Sequence, residues 1–357
     1  MVKVFAAMSG GVDSAVAALL LKREGHEVVG IHLRTGVSED PAHPGSRPRC
    51  CGADEAIDAR RVAAILDIPF YVQNTEKEFS GLIGAFSDAY VRGETPNPCI
   101  ACNTDIKFGA LLERAQALGM DAVATGHYAR RVLQKGRWAL ARARDTTKDQ
   151  SYVLYGLGQK ELERSLFPLG DLRKQDVRRL AREAGLPVAD KAESQEICFV
   201  PSGDYRDVVR ARRPDAFGEG EIVDEQGRRV GTHEGVAGFT VGQRRGLGIA
   251  GAGPLYVLAL DPVRSRVVVG PKSSLGVDSA EIDQVSWSSG ETPENPFDTE
   301  VALRYRAHPV AATVTCREHD RAELKFREPA WPVTPGQSAV FYDGDLVLGG
   351  GRIRASP

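Results

Sequence analysis

Long apolar runs are missing from this sequence. Among its 357 residues the longest is Ala15 to Leu21, seven residues, whereas a membrane-spanning helix needs about 18 or more. The N-terminal apolar stretch, Val4 to Met8, is also too short for the apolar region of a secretory signal. We therefore expect no membrane span and a cytoplasmic protein.

Cysteine is also scarce, with six residues in the whole chain. That number is too small for a disulfide scaffold, so the thiols are better interpreted as catalytic, redox or metal-binding groups. Cys316 alternates with apolar residues, which predicts a barrel interior. The adjacent pair Cys50 and Cys51 precedes a predicted helix and has no assigned role.

Strong net charge is absent as well. Lys and Arg number 46 against 48 Asp and Glu, a net charge of −2, which by itself argues against a polyanionic partner. The charge is unevenly distributed, however. Residues 128–213 hold 19 basic and 12 acidic residues, which leaves 27 and 36 for the rest. This asymmetry predicts a nucleic-acid face on one section.

The first third of the chain alternates apolar strands with amphipathic helices. This pattern is typical of βαβ units and predicts a doubly wound parallel sheet. The predicted strands are Val2–Ala7, Glu27–Leu33, Phe70–Gln73 and Ala122–Ala124, and the predicted helices are Ser14–Arg23, Ala53–Leu66, Phe79–Val91 and Phe108–Leu118. Two loops, Arg34–Arg49 and Gly93–Thr104, interrupt the pattern.

Helices are predicted from Lys148 to Arg213, including Lys174–Ala184 and Tyr205–Arg213, with a loop that carries Cys198. After Gly218 short β-rich runs alternate with Gly and Pro turns, which predicts one or two small β domains with a boundary near Leu275. The runs are Leu255–Leu260, Arg266–Val269, Thr299–Arg304, Ala312–Cys316, Ala322–Phe326, Ser338–Phe341 and Leu346–Leu348.

The first predicted strand leads directly into S-G-G-V-D-S, Ser9 to Ser14, which opens the first helix. Successive backbone N–H groups can turn inward there and bind a phosphate at the positive end of the helix. The motif matches neither the dinucleotide fingerprint nor the ordinary P-loop. It resembles the loop of the ATP pyrophosphatase superfamily, which adenylates substrate oxygens. The alternative is a glycine-rich turn that only caps the helix.

Further motifs are T-P-N-P-C-I-A-C-N-T-D-I-K-F from Thr95, A-T-G-H-Y from Ala124, K-D-Q-S-Y from Lys148 and S-Q-E-I-C-F from Ser194. With P-G-Q-S-A-V-F-Y and L-G-G-G near the C-terminus, the chain resembles the bacterial tRNA-specific 2-thiouridylases over essentially its whole length. The resemblance implies an α/β fold with a doubly wound parallel sheet carrying the pyrophosphatase loop, then a small central domain and a C-terminal β-barrel. The corresponding ranges are 1–200, with a basic helical section at 147–213, then 214–274 and 275–357.

The implied reaction is thiolation of C2 of the wobble uridine, with ATP, Mg²⁺ and a sulfur donor such as a cysteine desulfurase or relay protein. ATP adenylates the C2 oxygen, and a persulfide or hydrosulfide displaces AMP. By resemblance Cys102 is the nucleophile and Cys198 the persulfide carrier, with a Cys102–Cys198 disulfide as the by-product. Both cysteines are predicted to lie in loops, where backbone N–H groups or Lys107 can lower a thiol pKa. The alternative for each is an inert buried thiol.

Cys99 adds a third thiol, where some members of the family carry aspartate. Cys99, Cys102 and Cys198 can together hold a [4Fe-4S] cluster with one iron free to bind sulfide. Simple persulfide chemistry is the equal alternative. Half of a zinc site and a spectator role for Cys99 are the remaining alternatives.

Other roles transfer by resemblance to individual residues. Asp13 is expected on the magnesium or pyrophosphate side, and His127 near the tRNA, unless it is an ordinary surface histidine. The expected ATP-binding residues are Ala7, Met8, Ser9, Gly10, Gly11, Val12, Asp13, Ser14, Leu33 and Gly126. The expected tRNA contacts are Asn97, Pro98, Cys99, His127, Lys148, Asp149, Gln150, Arg304, Tyr305 and Gln337, where Asn97 to Cys99 border a base that is flipped out of the anticodon loop.

Two other functions compete with this interpretation. A small-molecule adenylating ligase of the GMP synthetase type would keep the S-G-G-V-D-S loop but has no need for Cys102 and Cys198. A non-catalytic RNA-binding module would explain the basic section and the barrel but not the phosphate loop. Pyrophosphate release that requires both tRNA and a sulfur donor separates the three.

Overall fold

The fold begins with a parallel sheet at the N-terminus. The structure, a computed structural model, describes residues 1–36, 53–193, 197–200, 203–249 and 253–355. Cys50, Cys51, most of the Arg34–Arg49 loop and the first three residues of S-Q-E-I-C-F lie outside these ranges. The five-stranded sheet has the order β3-β2-β1-β4-β7, and all its pairings are parallel. Its strands are β1 (Lys3–Ala7), β2 (Glu27–Arg34), β3 (Phe70–Asn74), β4 (Ala122–Ala124) and β7 (Ser165–Leu166).

Helices cover this sheet because its central strands are apolar on both faces. Val4 and Val123 are fully buried on adjacent strands, as expected for a parallel sheet. No helix within the described ranges has the length and apolarity to cross a membrane. The helices of the chain are α1 (Val12–Arg23), α2 (Ala53–Ile65), α3 (Glu76–Val91), α4 (Pro98–Ala101), α5 (Leu111–Ala117), α6 (Gln159–Glu163), α7 (Lys174–Glu183) and α8 (Tyr205–Arg212).

The central section forms a separate four-stranded sheet with its own apolar core. Its order is β10-β11-β8-β9, and Ile222, Val257 and Val267 are fully buried between its strands and turns. The strands are β8 (Gly220–Val223), β9 (Arg229–His233), β10 (Tyr256–Asp261) and β11 (Arg266–Gly270). Strands β8 and β9 are absent from the sequence-based prediction.

The C-terminal section closes into a six-stranded antiparallel barrel. The order is β12-β15-β14-β13-β16-β17, and β12 also pairs with β17, which closes the barrel. The predicted class, a parallel α/β sheet followed by a central domain and a barrel, is therefore confirmed. The barrel strands are β12 (Val277–Trp287), β13 (Phe297–Ala302), β14 (Val310–Arg317), β15 (Arg321–Ala330), β16 (Ser338–Asp343) and β17 (Leu346–Ile353).

A hairpin from the first section extends the barrel sheet. It consists of β5 (Ala129–Gln134) and β6 (Arg137–Arg142), and β6 pairs with β17 through Leu140 and Val347. This hairpin was not predicted from the sequence. It ties the segment after the A-T-G-H-Y motif to the C-terminal strands.

The expected Gly93–Thr104 loop is wrong in its second half, because a helix begins at Pro98. The Asn97 side chain accepts a hydrogen bond from Cys99 N at 3.1 Å, and Pro98 occupies the first helical turn, the arrangement that starts helices. α4 continues through a π-helical segment, Cys102–Ala110, into α5. Cys102 therefore lies on a helix and not in a loop.

Replacement of Leu140 by alanine tests how firmly the hairpin is packed. Leu140 is fully buried in the core shared by the parallel sheet and the barrel, whereas Leu133 in the same hairpin is 63% exposed. We expect Leu140→Ala to lower the free energy of unfolding by about 2–5 kcal/mol, measured by denaturant titration. The matched change Leu133→Ala should stay within about 0.5 kcal/mol of the parent, and equal effects of the two would contradict this packing.

Candidate active site

The S-G-G-V-D-S segment connects β1 to α1, and its serine hydroxyl groups form hydrogen bonds within the segment. Ser14 Oγ accepts from Ser9 N at 3.1 Å and donates to the Gly11 carbonyl at 3.1 Å. Gly10 has a φ of +77°, and a Cβ there would lie 2.3 Å from the Glu55 carbonyl oxygen. Only glycine fits this turn. The turn leads directly into the N-terminus of α1, and helix N-termini are favourable places for anions.

Gly126, which follows β4, packs directly on this turn. A Cβ at Gly126 would lie 2.7 Å from both Asp13 C and Ser14 N. The predicted ATP residues thus come together where β1, β2 and β4 end. Met8, Val12 and Leu33 are buried there and support the loop, and Ala7 is half-buried at the end of β1.

Asp13 is the charged group at the entrance to α1. Lys174 Nζ donates to its two carboxylate oxygens at 2.7 and 2.8 Å, and the Tyr128 hydroxyl donates to Oδ1 at 2.8 Å. Burial raises the pKa of Tyr128, and the adjacent Asp13 carboxylate raises it further. Both Asp13 oxygens thus accept hydrogen bonds from Lys174, so a cation bound to this carboxylate would compete with Lys174.

Glu193 extends this ion pair toward the K-D-Q-S-Y motif. Its carboxylate contacts Lys148 Nζ at 2.7 Å, Lys174 Nζ at 3.1 Å and Arg178 at 3.5 Å. Burial acts to raise the pKa of Glu193, but the hydrogen bonds from Lys148 and Lys174 outweigh it and lower the pKa to about 2. Glu193 is therefore ionised at neutral pH, between two lysines.

Lys174 and Glu193 were missed by the sequence analysis. Lys174 is the first residue of α7, where a cation opposes the helix dipole. Such a local conflict is typical of functional positions and was the available signal. Tyr128 belongs to the A-T-G-H-Y motif, which predicts no role for it.

Cys102 begins the π-helical segment and is 9% exposed. Segments of this kind are frequent at functional sites because the extra residue per turn shifts side chains out of helical register. The thiol belongs to an apolar cluster that also contains Ile106 and Phe108, and Cys198 packs against the same cluster. The two cysteines expected to act together thus contact the same apolar cluster, and neither forms a disulfide.

Cys99 is exposed one helical turn before Cys102. In the described part of the chain, no group of three or more His, Cys, Asp and Glu side chains is placed to hold a metal ion. Cys99, Cys102 and Cys198 therefore do not form a preassembled cluster site, and the expected iron–sulfur cluster stays a prediction.

Gln337 connects the barrel to the cysteine segment. Its side chain donates to the Thr95 carbonyl at 2.7 Å, and Thr95 N donates to the Pro335 carbonyl at 2.7 Å. The loop before β16 therefore holds the chain just ahead of Asn97. The structure shows this intramolecular contact of Gln337, and the expected contact of Gln337 with tRNA stays a prediction.

His127 is buried and is not a surface histidine. Its Nδ1 lies 2.8 Å from Thr125 Oγ1. Burial, with Lys107 nearby, lowers the pKa of His127 well below its usual value, so the ring is neutral at pH 7. Lys107 itself donates to Asn103 Oδ1 at 3.0 Å.

Asp149 and Gln150 use their side chains within the protein. Asp149 accepts from Ala143 N at 2.9 Å and from Ser151 Oγ at 2.8 Å. Gln150 Oε1 accepts from Tyr128 N at 2.9 Å. These bonds position the segment that presents Lys148.

Arg304 and Tyr305 follow β13, and Tyr305 lies near Asp149 and Cys99. Burial lowers the pKa of Arg304 and raises that of Tyr305, and the nearby Asp149 and Cys99 add to the rise at Tyr305. Tyr305 also packs against the cluster that contains Cys102. The structure thus brings Arg304 and Tyr305 close to Asp149 and to the cysteine segment.

The basic surplus of residues 128–213 is partly used inside the protein. Three of its arginines pair with acids elsewhere in the chain: Arg130 with Asp345, Arg137 with Glu291 and Arg213 with Asp88. Internal pairing of this kind was the alternative to a nucleic-acid face, and it accounts for part of the surplus.

Family models match three consecutive parts of the chain. One described as the tRNA methyl transferase HUP domain matches residues 2–202, a tRNA methyl transferase PRC-barrel domain matches 206–271, and an aminomethyltransferase beta-barrel domain matches 277–353. The class is therefore a HUP-domain protein followed by two β-rich domains.

Curated relatives named tRNA-specific 2-thiouridylase MnmA match nearly the full length. The protein of Roseiflexus castenholzii is 49% identical and covers 99% of both chains, and that of Moorella thermoacetica is 50% identical with 98% of both covered. The protein of Chloroflexus aggregans is 48% identical over 99% of this chain and 98% of its own. The chain belongs to the tRNA-specific 2-thiouridylase family, which confirms the resemblance found in its motifs.

Gly126→Ala tests the close contact between β4 and the phosphate loop. The added methyl group must displace backbone atoms of Asp13 and Ser14, which moves the N–H groups that would face a phosphate. We expect at least about a tenfold loss of ATP affinity by calorimetry, equivalent to about 1.4 kcal/mol. Gly81→Ala, on α3 with no atom within 4 Å of the new methyl, should leave the affinity unchanged, and unchanged binding by Gly126→Ala would contradict the assignment.

Proposed function

We propose that this protein uses ATP to replace the C2 oxygen of the wobble uridine of tRNA with sulfur. The observation that carries this proposal is the pairing of two features in one chain of this family. A glycine phosphate loop at the end of β1 lies in the same domain as Cys102 and Cys198, which share one apolar cluster. Activation by ATP needs the first feature, and sulfur transfer needs the second.

The loop and its surroundings fit the phosphates of ATP. The turn is built of glycines, and a side chain at Gly10 or Gly126 would collide with backbone. Ser9 and Ser14 supply hydroxyl groups beside them. When bound, ATP supplies an electrophilic α-phosphorus and pyrophosphate as the leaving group.

Asp13 is the residue that would hold Mg²⁺ at the phosphates. A carboxylate is a preferred ligand of that ion, and Ser9 and Ser14 lie on the same turn. Because Lys174 occupies both Asp13 oxygens, ion binding and the position of Lys174 must be linked.

The sulfur step that we propose is balanced by the two thiols. The C2 oxygen leaves as part of AMP when the terminal sulfur of a Cys198 persulfide forms a bond to C2. The Cys102 thiolate then attacks the Cys198 sulfur, which releases 2-thiouridine and leaves a Cys102–Cys198 disulfide. An external reductant must restore the two thiols before the next turnover, and a cysteine desulfurase or relay protein must reload the persulfide.

No step of this proposal passes through an iron–sulfur cluster, because the three cysteines are not assembled as ligands. Iron and sulfide analysis of the anaerobically purified protein separates the two chemistries. The persulfide route requires thiolation by protein without iron, and strict dependence of thiolation on bound iron would replace it.

The expected tRNA surface surrounds the cysteine helix. Asn97, Pro98 and Cys99 start that helix, and Arg304 and Tyr305 lie on the same side. A uridine flipped out of the anticodon loop would reach the thiols from this side. Lys148 is available for a phosphate once it leaves Glu193.

Substitution of either thiol should block sulfur transfer without blocking activation by ATP. Cys102→Ser and Cys198→Ser should each abolish 2-thiouridine in tRNA, measured by nucleoside mass spectrometry, since the thiols act as a unit. Both variants should still release pyrophosphate in a single turnover, because adenylation of the C2 oxygen precedes sulfur transfer.

The control for this experiment is Cys316→Ser, which changes a half-buried thiol on β14, away from the site, and should keep full thiolation. Asp13→Asn should instead lose pyrophosphate release. Residual thiolation in Cys102→Ser or Cys198→Ser would contradict the two-thiol scheme.

A further inference from the structure

A chain of charges connects the expected tRNA-binding lysine to the phosphate loop. It runs from Lys148 to Glu193 at 2.7 Å, from Glu193 to Lys174 at 3.1 Å, and from Lys174 to Asp13 at 2.7 Å. The groups are partly shielded from water, with side-chain exposures of 28% for Lys148 and Glu193, 11% for Lys174 and 32% for Asp13. Attraction between partly buried charges is screened much less than at the surface.

The chain of charges alternates in sign, so its members compete. Lys174 is shared between two carboxylates, and Glu193 is shared between two lysines with Arg178 at 3.5 Å. Removing Lys148 from Glu193 leaves that carboxylate with less positive charge around it. Glu193 then attracts Lys174 more strongly, and Asp13 holds it less firmly.

We propose that Glu193 and Lys174 are positioning residues through which tRNA binding frees Asp13 to bind Mg·ATP. This inference rests on the proposed function, because it takes Lys148 as a phosphate contact and Asp13 as the magnesium ligand. A tRNA phosphate that captures Lys148 shifts Lys174 toward Glu193 and exposes the Asp13 carboxylate. Mg·ATP is therefore bound more tightly when tRNA is present, which limits hydrolysis in its absence.

The local structure restricts the movement to the lysine side chains. Lys174 N donates to Asp145 Oδ2 at 2.9 Å, and Lys148 N donates to the Asp145 carbonyl at 3.0 Å. The backbones of both lysines are thus fixed to one residue. Their flexible side chains can exchange partners without a change in the fold.

The measured quantity is the coupling between the two ligands. It is the ratio of the dissociation constants of Mg²⁺-α,β-methylene-ATP, which cannot be cleaved between its α and β phosphates, without and with saturating tRNA. For the parent protein we expect tRNA to tighten this analogue by about fivefold or more, the usual lower range for coupled sites. By reciprocity the analogue tightens tRNA by the same factor.

Two substitutions should abolish the coupling with opposite effects on the affinity for the analogue, which is weak in one variant and tight in the other. In Glu193→Gln, Lys174 stays on Asp13, so the analogue binds weakly with or without tRNA and the ratio falls to within about twofold of one. In Lys148→Met, Glu193 has already lost its partner, so the analogue binds without tRNA as tightly as it binds to the parent with tRNA. A merely structural role would weaken binding in both variants.

Controls keep this test interpretable. Arg179→Gln removes an exposed cation of α7 that pairs with Asp176 and Glu183, and should retain the parent coupling. Glu193→Asp keeps the charge and should recover most of it. If Glu193→Gln does not fold, as judged by circular dichroism, the Lys148→Met result decides.

The proposal is overturned if the parent shows no coupling, or if Glu193→Gln retains the parent ratio, or if Lys148→Met weakens the analogue without tRNA. None of these results affects the proposed function while the parent protein still makes 2-thiouridine. Conversely, absence of tRNA-dependent AMP formation by the parent would remove the proposed function itself.

Discussion

The contact between Gly126 and the backbone of Asp13 and Ser14 is the constraint on which the rest of the site depends. It sets the segment after β4 against the turn after β1 so closely that no side chain fits between them. The position of this contact fixes where the chain after β4 begins. His127 and Tyr128 follow directly, and the β5–β6 hairpin carries the chain to the barrel.

The barrel completes the site from the other side. Tyr152 donates to the Ser338 carbonyl at 2.8 Å, and Gln337 holds the Thr95 carbonyl. One short segment of the barrel therefore contacts both the K-D-Q-S-Y region and the cysteine region. Motifs that lie far apart in sequence thus form one interface, and loss of the barrel would disturb the thiols as well as the tRNA surface.

Much of this arrangement follows from local sequence signals. The predicted strand Ala122–Ala124 matches the observed bounds, and the glycine turn after β1 follows from the residues that it needs. The helix at Pro98 is not predicted because P-N-P is typical of a loop, although Asn97 and Pro98 are also a good cap and first turn. The β5–β6 hairpin has alternating residues and a turn at Lys135 and Gly136, both with positive φ, but its pairing with β17 is a long-range contact that no local pattern specifies.

The ion pairs of Asp13 could not be derived from sequence, because they join residues 161 positions apart. Only the misplaced charge at the start of α7 indicated that Lys174 had a partner. The shared apolar environment of Cys102 and Cys198 is likewise a property of the folded chain. The cysteine motifs indicated their chemistry, and the fold supplies their proximity to one cluster.

The central claim is that the C2 oxygen of uridine is transferred to AMP. The direct measurement uses tRNA that carries ¹⁸O at C2 of the wobble uridine and follows the label by mass spectrometry during one turnover. The account predicts one ¹⁸O atom in the phosphate of AMP for each 2-thiouridine formed. Label found in water or in pyrophosphate, with unlabelled AMP, would contradict it.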